Sequence, residues 1–110
     1  MRLLILGATG MLGNATFRLF AESDGFEVIA TVRSERSKRF FSEHLHSALI
    51  SGVDVENVDS LMRVMSETKP DVVINCIGVV KQLAEFIHRI TDVRPQHVFT
   101  KKLVEHLADR

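Results

Sequence analysis

Three glycines, Gly7, Gly10 and Gly13, fall in the stretch "LLILGATGMLG", where an apolar run gives way to a helix-like pattern. Residues of that type at that spacing suit one piece of chemistry, the holding of an anion on bare backbone amides. Gly7 would reverse the chain, Gly10 would let an anion approach the backbone, and Gly13 would let the following helix pack close to the strand. The amides of Met11 and Leu12 would then point at a diphosphate with the helix dipole behind them, and the Thr9 hydroxyl would add a donor. The plainer reading is a tight turn that holds no ligand. What favours the anion site is context, since the triplet follows a strand and opens a helix within a βαβ unit. The spacing is G-x-x-G-x-x-G rather than the G-x-G-x-x-G of many dehydrogenases.

A second test lies some twenty residues on, at the end of the next strand. An acidic residue there accepts from a ribose 2′-hydroxyl and selects NAD, whereas an arginine accommodates a 2′-phosphate. The sequence reads "ATVRSER", with Arg33 at that place and Ser34 and Arg36 beside it. This predicts NADP(H) in preference to NAD(H), with the Arg33 guanidinium forked onto the phosphate. The competing reading is a solvated surface arginine. Asp54, in "GVDV", suits an acceptor for an adenine amino group, an N-cap for the helix that follows, or both.

The elements that must position these residues alternate regularly. "RLLIL" (2–6) is continuously apolar, as expected of a strand buried on both faces of a parallel sheet. A helix is predicted from about Met11 to Ser23, with Leu12, Ala15, Thr16, Leu19 and Phe20 on its inner face. "FEVIATV" (26–32) reads as the second strand. The charged stretch "RSERSKRFFSEHLH" reads as a loop and a short helix anchored by Phe40, Phe41 and Leu45, and "SALIS" (47–51) as a weak third strand. A helix over 54–68 with Val58, Leu61, Met62 and Met65 inward leads to the fourth strand, "DVVINCIG". Two helical segments are expected over 81–90 and 94–110. The class is α/β, a partial doubly wound parallel sheet of four strands in the order 3-2-1-4 with flanking helices.

The totals narrow the function classes. A chain of 110 residues, 45% hydrophobic and 25% charged, allows one globular domain. Its zero net charge gives no general pull toward nucleic acid or an acidic membrane. One cysteine, Cys76, excludes an internal disulfide and fits a reducing compartment, so a cytoplasmic location is expected. No segment has the length of a membrane span. His44 and His46 are two apart and lack partners at ligand spacing, so no metal site is expected.

Taken together, "LLILGATGMLG", "ATVRS", "GVDV" and "KPDVVINCIGVVKQLAE" resemble the extended short-chain dehydrogenase/reductases, and within them sugar-nucleotide reductases of the dTDP-4-dehydrorhamnose reductase type. The resemblance implies the N-terminal, NAD(P)-binding part of a Rossmann domain over 1–110. It also implies hydride transfer to a keto-sugar carried on a nucleoside diphosphate. On that basis Gly7, Gly10, Met11, Leu12 and Gly13 would touch pyrophosphate, Arg33 would select the cofactor, and Asp54 with Val55 would line the adenine site. "NCIG" would pass under the ribose near the nicotinamide through Cys76, Ile77 and Gly78. For Cys76 the reading as a small buried core residue is favoured over that of a cofactor neighbour through its backbone.

The departures from that family bear on activity. Its catalytic set is a Ser or Thr with a Tyr and a Lys in a Y-x-x-x-K pair, and this chain has no tyrosine. Gln96 stands roughly where the family carries an asparagine. The expectation is a cofactor-binding portion that is inactive alone and takes a nucleotide sugar only when completed by a C-terminal region. A free-standing dinucleotide-sensing or partner-binding module is the alternative, with self-association through an exposed edge of strand four.

Overall fold

Why a continuous run of apolar residues should form the first strand is answered by the layers around it. The computed structural model describes residues 1–54 and 56–77, together with the backbone of Val98–Phe99. Strand β1 (Arg2–Leu6) lies in the middle of a parallel sheet. Leu3 and Ile5 face one layer, with Phe17, Phe41 and Leu49. Leu4 and Leu6 face the other, with Leu61 and Val64. Successive side chains on a strand point to opposite faces, so two covered faces demand apolar residues at every position.

Helix α1 (Met11–Ala21) follows β1, then β2 (Glu27–Thr31), β3 (Leu49–Ile50), α2 (Val58–Thr68) and β4 (Val72–Asn75). The sheet order is β3-β2-β1-β4, continued outward by a two-residue β5 (Val98–Phe99). Register is set by Leu3 opposite both Val28 and Val72, and by Thr31 opposite Ile50. The expected 3-2-1-4 order is therefore the observed one.

Val98 and Phe99, expected within a helix, instead pair with Val73 and Ile74 of β4. The outer edge of β4 is thus occupied over those two residues. The rest of the helices expected over 81–90 and 94–110, with Gln96, lies outside the described residues. Among the described residues, no helix is long and apolar enough to cross a membrane.

Several inward faces differ from the periodicity reading. In α1 the buried residues are Gly13, Thr16 and Phe17, while Ala15 is exposed and Leu19 is 63% exposed. Gly13 is pressed against the turn that precedes the helix, which fixes the helix's rotation about its axis. The inner face then follows 13, 16–17 and 20 at about 100° per residue, leaving Leu19 well to the side. Phe17 is fully buried and meets Phe41 edge-on, with ring centroids 5.6 Å apart. In α2 Val64 is buried and Met62 is exposed.

The charged stretch forms two 3-10 helical turns, Glu35–Phe40 and Glu43–Ala48; the second is the short helix expected, and the first stands where a loop was expected. Phe41 and, in part, Leu45 and Ala48 tie it to the core, and Phe40 is exposed beneath the Arg39 guanidinium. A segment that buries so little has no reward for extending a helix beyond one or two turns.

Candidate functional site

The glycine turn sits where β1 hands over to α1, at the C-terminal edge of the sheet, and each glycine has a different relation to its surroundings. Gly7 has φ +88°, a conformation that side chains resist, and a Cβ there would lie 2.6 Å from Ile77 Cγ1. A Cβ on Gly13 would overlap the Gly7 carbonyl oxygen. Both glycines are required by the fold itself, one for the turn and one for close packing. Gly10 is not. Its φ of −72° and ψ of 165° suit any residue, and a Cβ there would meet nothing within 4 Å.

The amides of the turn divide into used and unused. Gly7 N–H donates to Thr31 Oγ1 at 3.0 Å, and Ala8 N–H donates to the Thr31 carbonyl at 2.9 Å. Asn14 N–H donates to Gly10 O at 2.8 Å and closes the first turn of α1. No side chain caps the helix, and its first turn holds no acidic residue. The amides of Met11, Leu12 and Gly13 thus have no partner among the described residues, the usual state of first-turn amides that await a cap, water or ligand. The second helix shows the contrast. Its N-terminus is capped by Asn57, whose Oδ1 accepts from Asp59 N at 3.0 Å and Ser60 N at 3.3 Å, and Asp59 lies in its first turn. An anion has reason to visit α1 and none to visit α2.

That assignment corrects the expected helix cap. Asp54 does not cap α2; its Oδ1 accepts from Glu56 N at 2.9 Å in a tight turn of its own. Ser60 fastens this turn, its hydroxyl accepting from Asp54 N at 3.1 Å and lying 2.9 Å from the carbonyls of both Asp54 and Asn57. The Asp54 carboxylate is thereby held half-buried, with Oδ2 unpartnered among the described residues.

A groove of about 170 Å³ runs from the glycine turn across the ends of β2 and β3. It brings together Gly7, Thr9, Arg33, Asp54 and Ile77 of the residues singled out from sequence. Arg33 is exposed and has no carboxylate partner among the described residues. Ser34 is not in the groove lining; its hydroxyl lies 3.1 Å from that of Ser37 at the start of the first 3-10 turn. Cys76 is 6% exposed and belongs to the core on the α1 side of the sheet, with its amide donating to Leu6 O at 3.0 Å. Ile77 N–H is held by Asn75 Oδ1 at 3.0 Å, which aims the end of β4 at the turn. Val55 and Gly78 lie outside the described residues.

Two polar groove residues, Glu56 and Thr31, were not anticipated. Glu56 adds a second carboxylate beside Asp54, and its place two residues further along "DVE" was the available signal. Thr31 gave no local signal, because its role depends on a contact with a residue 24 positions away. Glu35, outside the groove, is clamped by Ser51 Oγ at 2.6 Å and Lys38 Nζ at 3.0 Å, which holds its carboxyl below the usual carboxylate range. His46 Nε2 lies 3.0 Å from Phe41 O and so braces the loop. Among the described residues no three His, Cys, Asp or Glu side chains come together as metal ligands would.

Residues 3–110 match the model of the NAD dependent epimerase/dehydratase family. The chain belongs to that family. Membership implies binding of a nicotinamide adenine dinucleotide, and the chain is a Rossmann-like nucleotide-binding portion. Gly10 fits such a ligand, since the one glycine that the fold does not need is the one that borders the unpartnered amides.

No curated protein matches the sequence. Among solved structures, the chain is similar to apo saccharopine dehydrogenase (L-Glu forming) from Saccharomyces cerevisiae, with a TM-score of 0.65 and 22% identity. That similarity covers 90% of this chain and 21% of that one. A thiolation-reductase di-domain from an archaeal non-ribosomal peptide synthetase gives a TM-score of 0.64 and 19% identity, over 90% of this chain and 27% of the other. At those identities the likeness is one of fold, and this epimerase/dehydratase-family chain spans about a quarter or less of either protein.

Proposed function

We propose that this chain binds NADP(H), and that it serves as the N-terminal cofactor-binding portion of a reductase acting on a keto-sugar carried by a nucleoside diphosphate, of the dTDP-4-dehydrorhamnose reductase type. The observation that carries the cofactor reading is Gly10, whose backbone does not require glycine and whose Cβ position is open, directly before the unpartnered amides of Met11, Leu12 and Gly13. On this reading those amides and the Thr9 hydroxyl hold the pyrophosphate. Arg33 receives the 2′-phosphate with Ser34 beside it, and Asp54 with Val55 borders the adenine. Cys76, Ile77 and Gly78 pass beneath the ribose nearer the nicotinamide. The sugar-nucleotide reading rests on the motif resemblance.

The bound dinucleotide would supply the hydride. The chain's own part is to bind and orient. Reduction of a carbonyl also needs a proton donor for the oxygen, and no phenol is available among these 110 residues, which include no tyrosine. That same fact favours a second reading, a dinucleotide-sensing module that performs no catalysis.

Titration of the purified chain with NADPH and NADH, read by cofactor fluorescence, tests the proposal. NADPH is expected to bind more tightly, and Arg33→Ala to weaken NADPH about tenfold while leaving NADH within about twofold, as one exposed charge-assisted phosphate contact implies. Tighter NADH binding would overturn the 2′-phosphate assignment, and binding of neither would overturn the cofactor reading. Oxidation of NADPH by the chain alone with a dTDP-linked keto-sugar would dismiss the sensing module.

A further inference from the structure

Of the turn's amides, two are consumed before any ligand arrives, and both go to one residue. Thr31, the last residue of β2, accepts Gly7 N–H on its side-chain oxygen at 3.0 Å and Ala8 N–H on its carbonyl at 2.9 Å. Thr31 is 2% exposed and in register with Ile50 of β3, so its backbone is fixed from both sides of the strand. Gly7 is the residue with φ +88° and the one whose carbonyl Gly13 packs against. A bond to Gly7 therefore fixes the turn and, through Gly13, the start of α1.

We propose that the Thr31 hydroxyl is the positioning residue of the dinucleotide site: it latches the glycine turn to β2 and thereby sets the direction of the amides that receive the pyrophosphate. The inference rests on the cofactor reading above and adds a residue that the motif does not contain. The carbonyl bond from Ala8 would exist with any residue at position 31. The bond from Gly7 requires a hydroxyl on a β-carbon, which among strand-favouring residues means threonine. Valine has the same shape but no acceptor, and would leave the Gly7 amide in a half-buried turn without a partner.

The test compares the wild-type chain with Thr31→Val and Thr31→Ser. NADPH is titrated alongside adenosine 2′-monophosphate, which keeps the adenosine and 2′-phosphate but has neither phosphate of the pyrophosphate bridge. Exchange of the Gly7 and Ala8 amide protons is followed by NMR in the ligand-free proteins. Thr31→Val is expected to weaken NADPH about tenfold, the equivalent of about one buried hydrogen bond. Thr31→Ser should restore it to within about twofold, and the 2′-monophosphate should bind all three alike. Gly7 should exchange slowly in the wild type and in Thr31→Ser, and faster in Thr31→Val.

Equal NADPH affinity in Thr31→Val, an equal loss for both ligands, or failure of serine to rescue would each overturn the proposal. So would rapid exchange of Gly7 in the wild-type chain, a measurement that stands even if Thr31→Val does not fold. A wild-type chain that binds no NADPH would instead bring down the cofactor reading, while Gly7 exchange still decides whether the latch exists.

Discussion

Of the two glycines at the helix start, one should tolerate an added methyl group in stability and the other should not, although both should lose cofactor binding. In Gly10→Ala the new Cβ meets no atom within 4 Å, and the backbone at φ −72° and ψ 165° accepts alanine without strain. Alanine is a poorer N-cap than glycine by up to about 1 kcal/mol, but it also lowers the entropy of the unfolded chain by about 0.4–1 kcal/mol. The two effects oppose, so stability should change by less than about 0.5 kcal/mol. Binding should not be spared. The methyl group would stand where the diphosphate comes against the Met11 and Leu12 amides, and loss of one strong charge-assisted contact would weaken NADPH by about a hundredfold.

In Gly13→Ala the methyl group would overlap Gly7 O and would also stand 2.8 Å from Gly7 C and 3.3 Å from Ala8 Cα. These are backbone atoms of a turn held by Thr31, so they cannot move as a side-chain tip can. Alanine's helix propensity returns about 1 kcal/mol, against an overpacking cost near the upper end of about 1–3 kcal/mol. A net destabilisation of about 2 kcal/mol is expected, with NADPH binding lost as the turn shifts. The chain has neither tryptophan nor tyrosine, so urea unfolding is best followed by far-ultraviolet circular dichroism. The same absence lets cofactor fluorescence be read against a dark protein. Gly10→Ala binding NADPH as the wild type does, or Gly13→Ala unfolding at the wild-type midpoint, would refute the division of roles.

Other expectations concern the scaffold. Asn57→Ala removes the acceptor for two first-turn amides of α2 and should cost about 1 kcal/mol in urea unfolding, whereas Asp54→Ala should leave the helix cap intact and cost less. Lys69 ends α2 at φ +46°, so Lys69→Gly should relieve a left-handed penalty of about 1–2 kcal/mol, partly offset by unfolded-chain entropy, and raise the unfolding midpoint. The carboxyl of Glu35 is held low by Ser51 and Lys38. A depressed folded-state value means that its contribution is present above the ordinary glutamate range and is lost as pH falls through the lowered value. Glu35→Gln should therefore lower stability slightly at neutral pH and flatten the acid limb of a stability-versus-pH curve measured by urea unfolding.

The sequence by itself determined the features written in local period and residue type. A run with no polar position, "LLIL", suits a strand covered on both faces, its alternation with helical segments implies a parallel sheet, and the doubly wound precedent supplied the 3-2-1-4 order that the sheet has. Glycines at 7, 10 and 13 marked the turn because only their shared lack of a Cβ makes such a turn workable. Periodicity could not say which residue of α1 would face inward, because the rotation of the helix is set by Gly13 against Gly7 O, a contact made after the chain has reversed. It could not choose between Asp54 and Asn57 as the cap, since both are good caps and the choice follows from how Ser60 ties the loop. Nor could it single out Thr31 from the other β-branched residues of its strand. A hydroxyl becomes part of the glycine turn only when two strands align in register and bring residues 24 apart within hydrogen-bonding distance. Local pattern sets what each segment can be; only the pairing of segments sets which atoms meet.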